Sequence, residues 1–149
     1  MKETWIAERC LIQLPGLTID RHLSAPNEIS FSGCSHHLLC VLLSDGNQQK
    51  ITRIGKCESV IPQTKGEFWI CPANTSGLWA WDSTDRSLMF EIDPYLLKQI
   101  AEEACGIKPK AIELIGTASA SDPQIEAIAN LLQTEFNRDD IGGEFMLNR

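Results

Sequence analysis

The apolar pattern of this chain changes period once, and the change falls at Asp93-Pro94. Before that point apolar residues come in short runs, broken by turn formers: Pro15-Gly16, Ala25-Pro26-Asn27, Asp45-Gly46-Asn47, Lys65-Gly66, Pro72-Ala73-Asn74 and Ser83-Thr84-Asp85. Gly, Asn, Asp and Pro supply the dihedral angles that tight turns need, so the runs between them read as strands. Strands are expected near Trp5–Gln13, Leu17–His22, Glu28–Phe31, His36–Leu43, Gln48–Ile54, Ser59–Ile61, Glu67–Cys71, Leu78–Trp81 and Ser87–Ile92. Asp45-Gly46 between two of them is a hairpin signal. Many short strands at regular spacing predict a sandwich or a small barrel.

After Ile92 the spacing becomes helical. Asp93 is placed to cap a helix and Pro94 suits its first position. Leu96, Leu97, Ile100, Ala101 and Ala104 follow at helical intervals, and Gly106 is a C-terminal stop. A short extended piece, Ala111–Ile115, is expected next. Asp122-Pro123 repeats the opening signature, followed by a stripe of Ile125, Ile128, Ala129, Leu132 and Phe136 with Leu131 beside it. The opposite face carries Gln124, Glu126, Asn130 and Gln133. The pattern divides the chain into a β body, 1–92, and a helical appendage, 93–149. The first helix directly follows the last strand and is expected to close the body. That leaves the second as the candidate for pairing with another copy, through Ile125, Ile128, Leu132 and Phe136. Past Asp139-Asp140 and the Gly142-Gly143 turn, a new apolar segment opens at Phe145-Met146-Leu147. A patterned segment that only begins there predicts a chain cut short of a further domain.

Size and charge exclude several functions. A chain of 149 residues can bury a real core. Its net charge is −7 and its pI about 4.9, with Lys and Arg scattered. Nucleic-acid backbones are bound by clustered Lys and Arg, so this chain by itself is expected to leave DNA and RNA alone. The six cysteines lie mostly in apolar runs, and MKETWIAERC carries no apolar signal segment. They read as free thiols packed as small hydrophobes in a reducing cytoplasm. The longest apolar stretch, Leu38 to Leu43, is too short to cross a bilayer.

Catalytic and metal chemistry finds little support. His36 and His37 are adjacent, and adjacent strand residues face opposite ways. Cys34, His36 and Cys40 share a face only if one strand runs straight through them. No CxxC or HxH pair reinforces them, so ordinary burial is expected, with no metal and no cofactor. No cysteine stands in a nucleophile motif and no Gly-rich phosphate loop is present, so no catalytic residue is expected. The aromatic cluster says more. Trp69, Trp79 and Trp81 gather around one hairpin, and Trp79 and Trp81 share a strand face. Aromatic walls with a few polar groups make small-molecule pockets, although Trp is also good core material. His36, Arg53 and Glu67 are the polar candidates for orienting a ligand there.

The order of features, a Trp-marked β body with "GEFWICPANTSGLWAW", then "LMFEIDPYLLKQIAEE", then "ASDPQIEAIANLLQTEF", resembles the N-terminal domain of AraC-type transcription regulators. The similarity runs from about His36 and is strongest from Gly66 to Phe136. Pro72-Ala73-Asn74 stands where that family has its barrel turn. The resemblance implies an α+β, mainly β fold: a cupin-like double-stranded β-barrel followed by C-terminal amphipathic helices. It further implies a small-molecule effector in the barrel and a homodimer made by the helices. DNA would be bound only by a separate domain with two helix-turn-helix units, absent from these residues, and no membrane would be involved. Metal-binding cupins supply a histidine near the barrel turn, and none stands here. Two other readings stay open: a metal-dependent cupin enzyme, such as an isomerase or dioxygenase, and a dimerisation module with a filled barrel.

Overall fold

A computed structural model describes residues 6–45, 50–60, 63–108, 110 and 112–138. Trp5, the Gly46-Asn47 turn, Gln48, Ile61, Ala111 and everything expected beyond Arg138 lie outside the described residues. Among the described residues ten strands and two helices follow in order: β1 (Ile6–Leu14), β2 (Leu17–Ser24), β3 (Asn27–Phe31), β4 (His37–Leu42), β5 (Lys50–Ile54), β6 (Cys57–Ser59), β7 (Phe68–Cys71), β8 (Gly77–Trp81), β9 (Asp85–Ile92), α1 (Pro94–Cys105), β10 (Thr117–Ala120) and α2 (Pro123–Arg138). Eight of the nine expected strands have a clear counterpart, because turn chemistry marks both ends of nearly every one; β6 meets the expected Ser59–Ile61 only at Ser59.

The β1–β2 hairpin shows how. Leu14 pairs with Leu17 across a connection of Pro15 and Gly16, and Gly16 has φ 78°. Proline with its fixed φ followed by a residue at positive φ is what a type II turn demands. A side chain at Gly16 would also meet Leu96 of α1, 3.1 Å away. The turn is therefore a seat for the helix as well as a reversal.

The strands form two antiparallel sheets, β1-β2-β9-β4-β7-β10 and β3-β8-β5-β6. This is the mainly β, double-stranded architecture that the family resemblance implied, and it fits the sandwich or small barrel expected from the strand pattern. One apolar cluster lies between the sheets and contains Cys40, Ile54, Trp69, Cys71 and Trp79. A second lies on the far side of the six-stranded sheet, where Ile19, Val41, Phe68 and Leu88 pack against Ala129 and Phe136 of α2. Burying a side chain of this kind stabilises a fold by about 1.5–3 kcal/mol, so α2 is a large part of the structure's stability.

Both Asp-Pro openings form as the cap chemistry requires. The Asp93 carboxylate accepts from the Tyr95 backbone N–H at 2.9 Å, and Asp122 accepts from Gln124 at 2.8 Å. Gly106, at φ 68°, ends α1.

The helix packed on the main sheet is α2, where α1 was expected to close the body. α1 buries no side chain fully, and Tyr95 and Ile100 are exposed. α2 covers the sheet: Phe136 is fully buried, with Ile125 and Leu132 packed beside it. Arg21 of β2 donates to Asn137 at 2.7 Å and Gln133 at 3.3 Å, and its guanidinium lies 5.0 Å from the Phe136 ring centroid. Of the four pairing candidates only Ile128 points outward, with Leu131 next to it, at 54% and 67% exposure. Chain order suggested that the nearer helix closes the body, but the connection through β10 carries α2 back onto the sheet.

β10 was also unexpected. The extended piece lies at Thr117–Ala120, not at Ala111–Ile115, where residues 112–115 form no regular element. Its sequence, TASA, has no large β-formers. It pairs with β7, Thr117 opposite Ile70 and Ala120 opposite Phe68, and so extends the main sheet. β10 and α2 therefore pack on the same sheet and core as strands that precede residue 93.

Candidate functional site

The polar residues of β2 and β9 lie on the inner face of the main sheet. β2 reads Leu-Thr-Ile-Asp-Arg-His-Leu-Ser, and strand alternation turns Thr18, Asp20, His22 and Ser24 one way and Ile19 and Arg21 the other. In β9 the same parity turns Asp85, Ser87, Met89 and Glu91 inward and Leu88 and Phe90 toward α2. α2 claims the apolar face, so the polar face is enclosed by the second sheet. The result is a cavity of about 350 Å³ between the sheets. That lies within the ordinary range for small-molecule pockets, about 300–1,000 Å³.

One wall is aromatic. Trp69 of β7 and Trp79 and Trp81 of β8 line the cavity together with Phe31. The Trp69 and Trp79 ring centroids are 4.6 Å apart at 36°, and Phe31 is 5.9 Å from Trp79. The Trp79 indole folds back along its own strand over Gly77, where an added Cβ would come within 2.5 Å of the ring. Gly77 thus creates the berth that holds Trp79.

The cavity also holds ion pairs. Arg9 of β1 approaches Asp20 Oδ2 through Nε at 2.8 Å and a terminal nitrogen at 2.7 Å. His22 Nδ1 lies 3.6 Å from the same oxygen. Burial by itself would raise the Asp20 carboxyl, but hydrogen bonds and charge from His22 and Arg9 outweigh it and hold the group below the ordinary carboxylate range. Lys50 of β5 donates to Asp85 Oδ2 at 3.0 Å across the cavity, with both side chains under 10% exposed at 7% and 5%. A buried charge without a partner is costly, which explains why both cations sit against carboxylates.

The arrangement does not fit a metal. Among the described residues no group of three or more His, Cys, Asp or Glu side chains is placed to hold one. Asp20 and His22 are neighbours on β2, and Arg9 is paired with the same carboxylate through Oδ2. Cys34, His36 and Cys40 do not assemble, because β4 starts only at His37. The His36 ring shares a hydrogen bond with the Ser35 hydroxyl at 3.2 Å instead. Among the described residues no disulfide forms between the cysteines. Burial pushes the Cys40 thiol up to about 12 and Cys71 to about 11, and a thiol so unwilling to ionise is a poor nucleophile.

The three Trp candidates therefore meet in one cavity, and the three polar candidates do not join them. His36 precedes β4. Arg53 points out of the second sheet toward Glu58, 3.6 Å away, because β5 turns Lys50, Thr52 and Ile54 inward. Glu67 accepts from the Thr64 N–H and hydroxyl, at 2.5 and 2.8 Å, and braces a loop. The polar residues that do line the cavity were visible as the alternation of Thr18, Asp20, His22 and Ser24. A polar strand face ordinarily meets water, and only the placement of α2 reverses that assignment here.

Two facing antiparallel sheets enclosing a pocket, with a helix packed on the outside, define a cupin-like barrel with a helical appendage. Among solved structures, the AraC-like transcriptional activator CuxR has this fold, with a TM-score of 0.61 at 13% identity over 87% of the chain. The chain spans 45% of that activator's length. A cupin superfamily protein from Desulfitobacterium hafniense (TM-score 0.48, 13% identity, 62% of this chain and 81% of that one) and a protein from Photorhabdus luminescens (TM-score 0.48, 17% identity, 62% and 79%) align less fully. No protein-family model and no curated protein matches the sequence. Among the described residues no helix is long and apolar enough to cross a membrane.

Proposed function

We propose that this chain is the effector-sensing and dimerising part of an AraC-type, DNA-binding transcription regulator, and not an enzyme. The observation that carries the reading is the cavity: a Trp-lined pocket with fixed ion pairs, inside a barrel whose fold an AraC-like activator shares. A small effector enters between the sheets and contacts β2 and β9. β2 is the coupling element, because its successive residues serve both sides of the sheet. Asp20 and His22 face the effector, while Arg21 between them holds α2 through Gln133, Asn137 and Phe136. An effector that binds one placement of β2 better than another shifts α2 with it. The outward Ile128–Leu131 patch of α2 is the pairing surface for a second copy. DNA is contacted through a further domain, and the protein works in the cytoplasm.

The test is the complete gene product. Its reading frame should encode two basic helix-turn-helix units after Arg149, and an effector that quenches the cavity Trp residues should change its affinity for operator DNA. Absence of those units, or an operator affinity indifferent to every compound that enters the cavity, overturns the proposal.

A further inference from the structure

The pocket also specifies the charge of what it holds. Among the buried polar atoms on its wall that find no hydrogen-bond partner in the described residues are the acceptor Asp20 Oδ1 and the donor Trp79 Nε1. Their side chains are nearly closed off from solvent, with Asp20 6% and Trp79 8% exposed. Buried polar atoms are ordinarily paired, so these two mark where a ligand's own donor and acceptor belong. They ask for opposite partners, which an ammonium or a carboxylate cannot both supply. An ammonium only donates and a carboxylate only accepts.

The charges around them narrow the choice. The lining holds two fixed cations, Arg9 and Lys50, against three carboxylates, Asp20, Asp85 and Glu91. Arg9 and Lys50 each already lie within 3.0 Å of a carboxylate oxygen. An anion entering here loses its water and meets cations that are already neutralised, beside three carboxylates. We propose that the cavity binds an uncharged molecule with an apolar, ring-bearing body and an amide- or hydroxyl-type group that both donates and accepts, and that it excludes anions. This rests on the reading of the cavity as the effector pocket.

The test uses three probes on one skeleton, benzamide, benzoate and benzylamine, titrated against the intact chain by Trp fluorescence and calorimetry. Benzamide should bind saturably and at least about tenfold more tightly than benzoate, with benzylamine weaker than benzamide because it leaves the Trp79 N–H without an acceptor. Equal or tighter binding of benzoate or benzylamine overturns the charge rule while leaving the pocket reading intact. Binding of none of the three at millimolar concentration overturns both. Asp85→Asn frees the Lys50 ammonium and should raise benzoate affinity at least about tenfold. Unchanged benzoate affinity in a folded Asp85→Asn protein counts against the argument, and the parent comparison stands if that variant does not fold.

Discussion

Replacing Phe136 by alanine tests whether α2 belongs to the fold or to a partner. Phe136 is fully buried, with Ile19, Val41, Phe68, Leu88 and Ala129 around it in the outer core and the Arg21 guanidinium over its ring. Truncating such a Phe removes its transfer free energy and leaves a cavity the neighbours fill only in part, a loss of about 3–5 kcal/mol. A domain has about 5–15 kcal/mol in total, so a large share of the stability should go. At this chain length each kcal/mol lowers the melting temperature by about 2–4 °C, so Phe136→Ala should melt about 6–20 °C below the parent. Ile128→Ala, on the exposed side of the same helix, should change stability by no more than about 0.5 kcal/mol. Urea unfolding gives the free energies, and sedimentation at several concentrations gives the association state. Phe136→Ala should lose stability at every concentration, and Ile128→Asp should weaken self-association without moving the monomer's unfolding midpoint. If Phe136→Ala unfolds with the parent and sediments as a smaller species, the placement of α2 on its own sheet is wrong. Leu132 packs against the same core, so a charge there should unfold the chain as well as any dimer.

The cavity's ion pairs and two titrating groups yield further expectations. Lys50→Met leaves Asp85 charged in a closed site and should cost about 3–5 kcal/mol, while Lys50→Met with Asp85→Leu should recover most of it; equal loss in single and double variants by urea titration would show that the pair is not the source. Asp20 has a folded carboxyl held below its ordinary value, so its contribution is complete above the unfolded pKa of about 3.9 and fades as pH falls through the lower folded value. Asp20→Asn should flatten the acid limb of the stability–pH curve, and an unchanged limb would refute the assignment. Burial, with Lys98 and His36 nearby, pushes the His37 ring below its ordinary value, and its Nδ1 accepts from the Ala73 N–H at 2.9 Å. The unfolded ring gains its proton first as pH falls below about 6.5, so stability should drop there. His37→Gln should remove that drop, and a ring that titrates at or above 6.5 by NMR would contradict the hydrogen bond.

Much of the fold was legible because its signals are local. Pro15-Gly16 can only turn, Asp93-Pro94 and Asp122-Pro123 can only cap, and β4 to β9 carry alternation or apolar runs bounded by turn residues. β10 was not legible, since Thr-Ala-Ser-Ala has no intrinsic strand signal and is extended only because the free edge of β7 offers it hydrogen bonds. Trp79 and Trp81 could be placed together from strand parity, but β7 and β8 form no hairpin: they lie in different sheets, and Trp69 meets Trp79 from the opposite sheet. Arg53 and Glu67 could not be excluded, because each sits on a strand or loop whose outward face is set by which sheet covers it.

The sequence by itself determined the two-part pattern, the strand boundaries, the helix caps and the aromatic character of one wall, all of which depend on neighbours a few residues apart. Tertiary structure alone decided which face of each strand is inside. The Asp20 and Asp85 faces became a cavity because α2, and not α1, lies on the apolar side of the main sheet. That choice depends on where a helix more than a hundred residues from Asp20 comes to rest, and strand periodicity fixes alternation without saying which side meets water. The Asp-Pro signature announced both helices equally well. Only the packing of Phe136 under Arg21 separates the helix that builds the barrel's outer core from the one left on its surface.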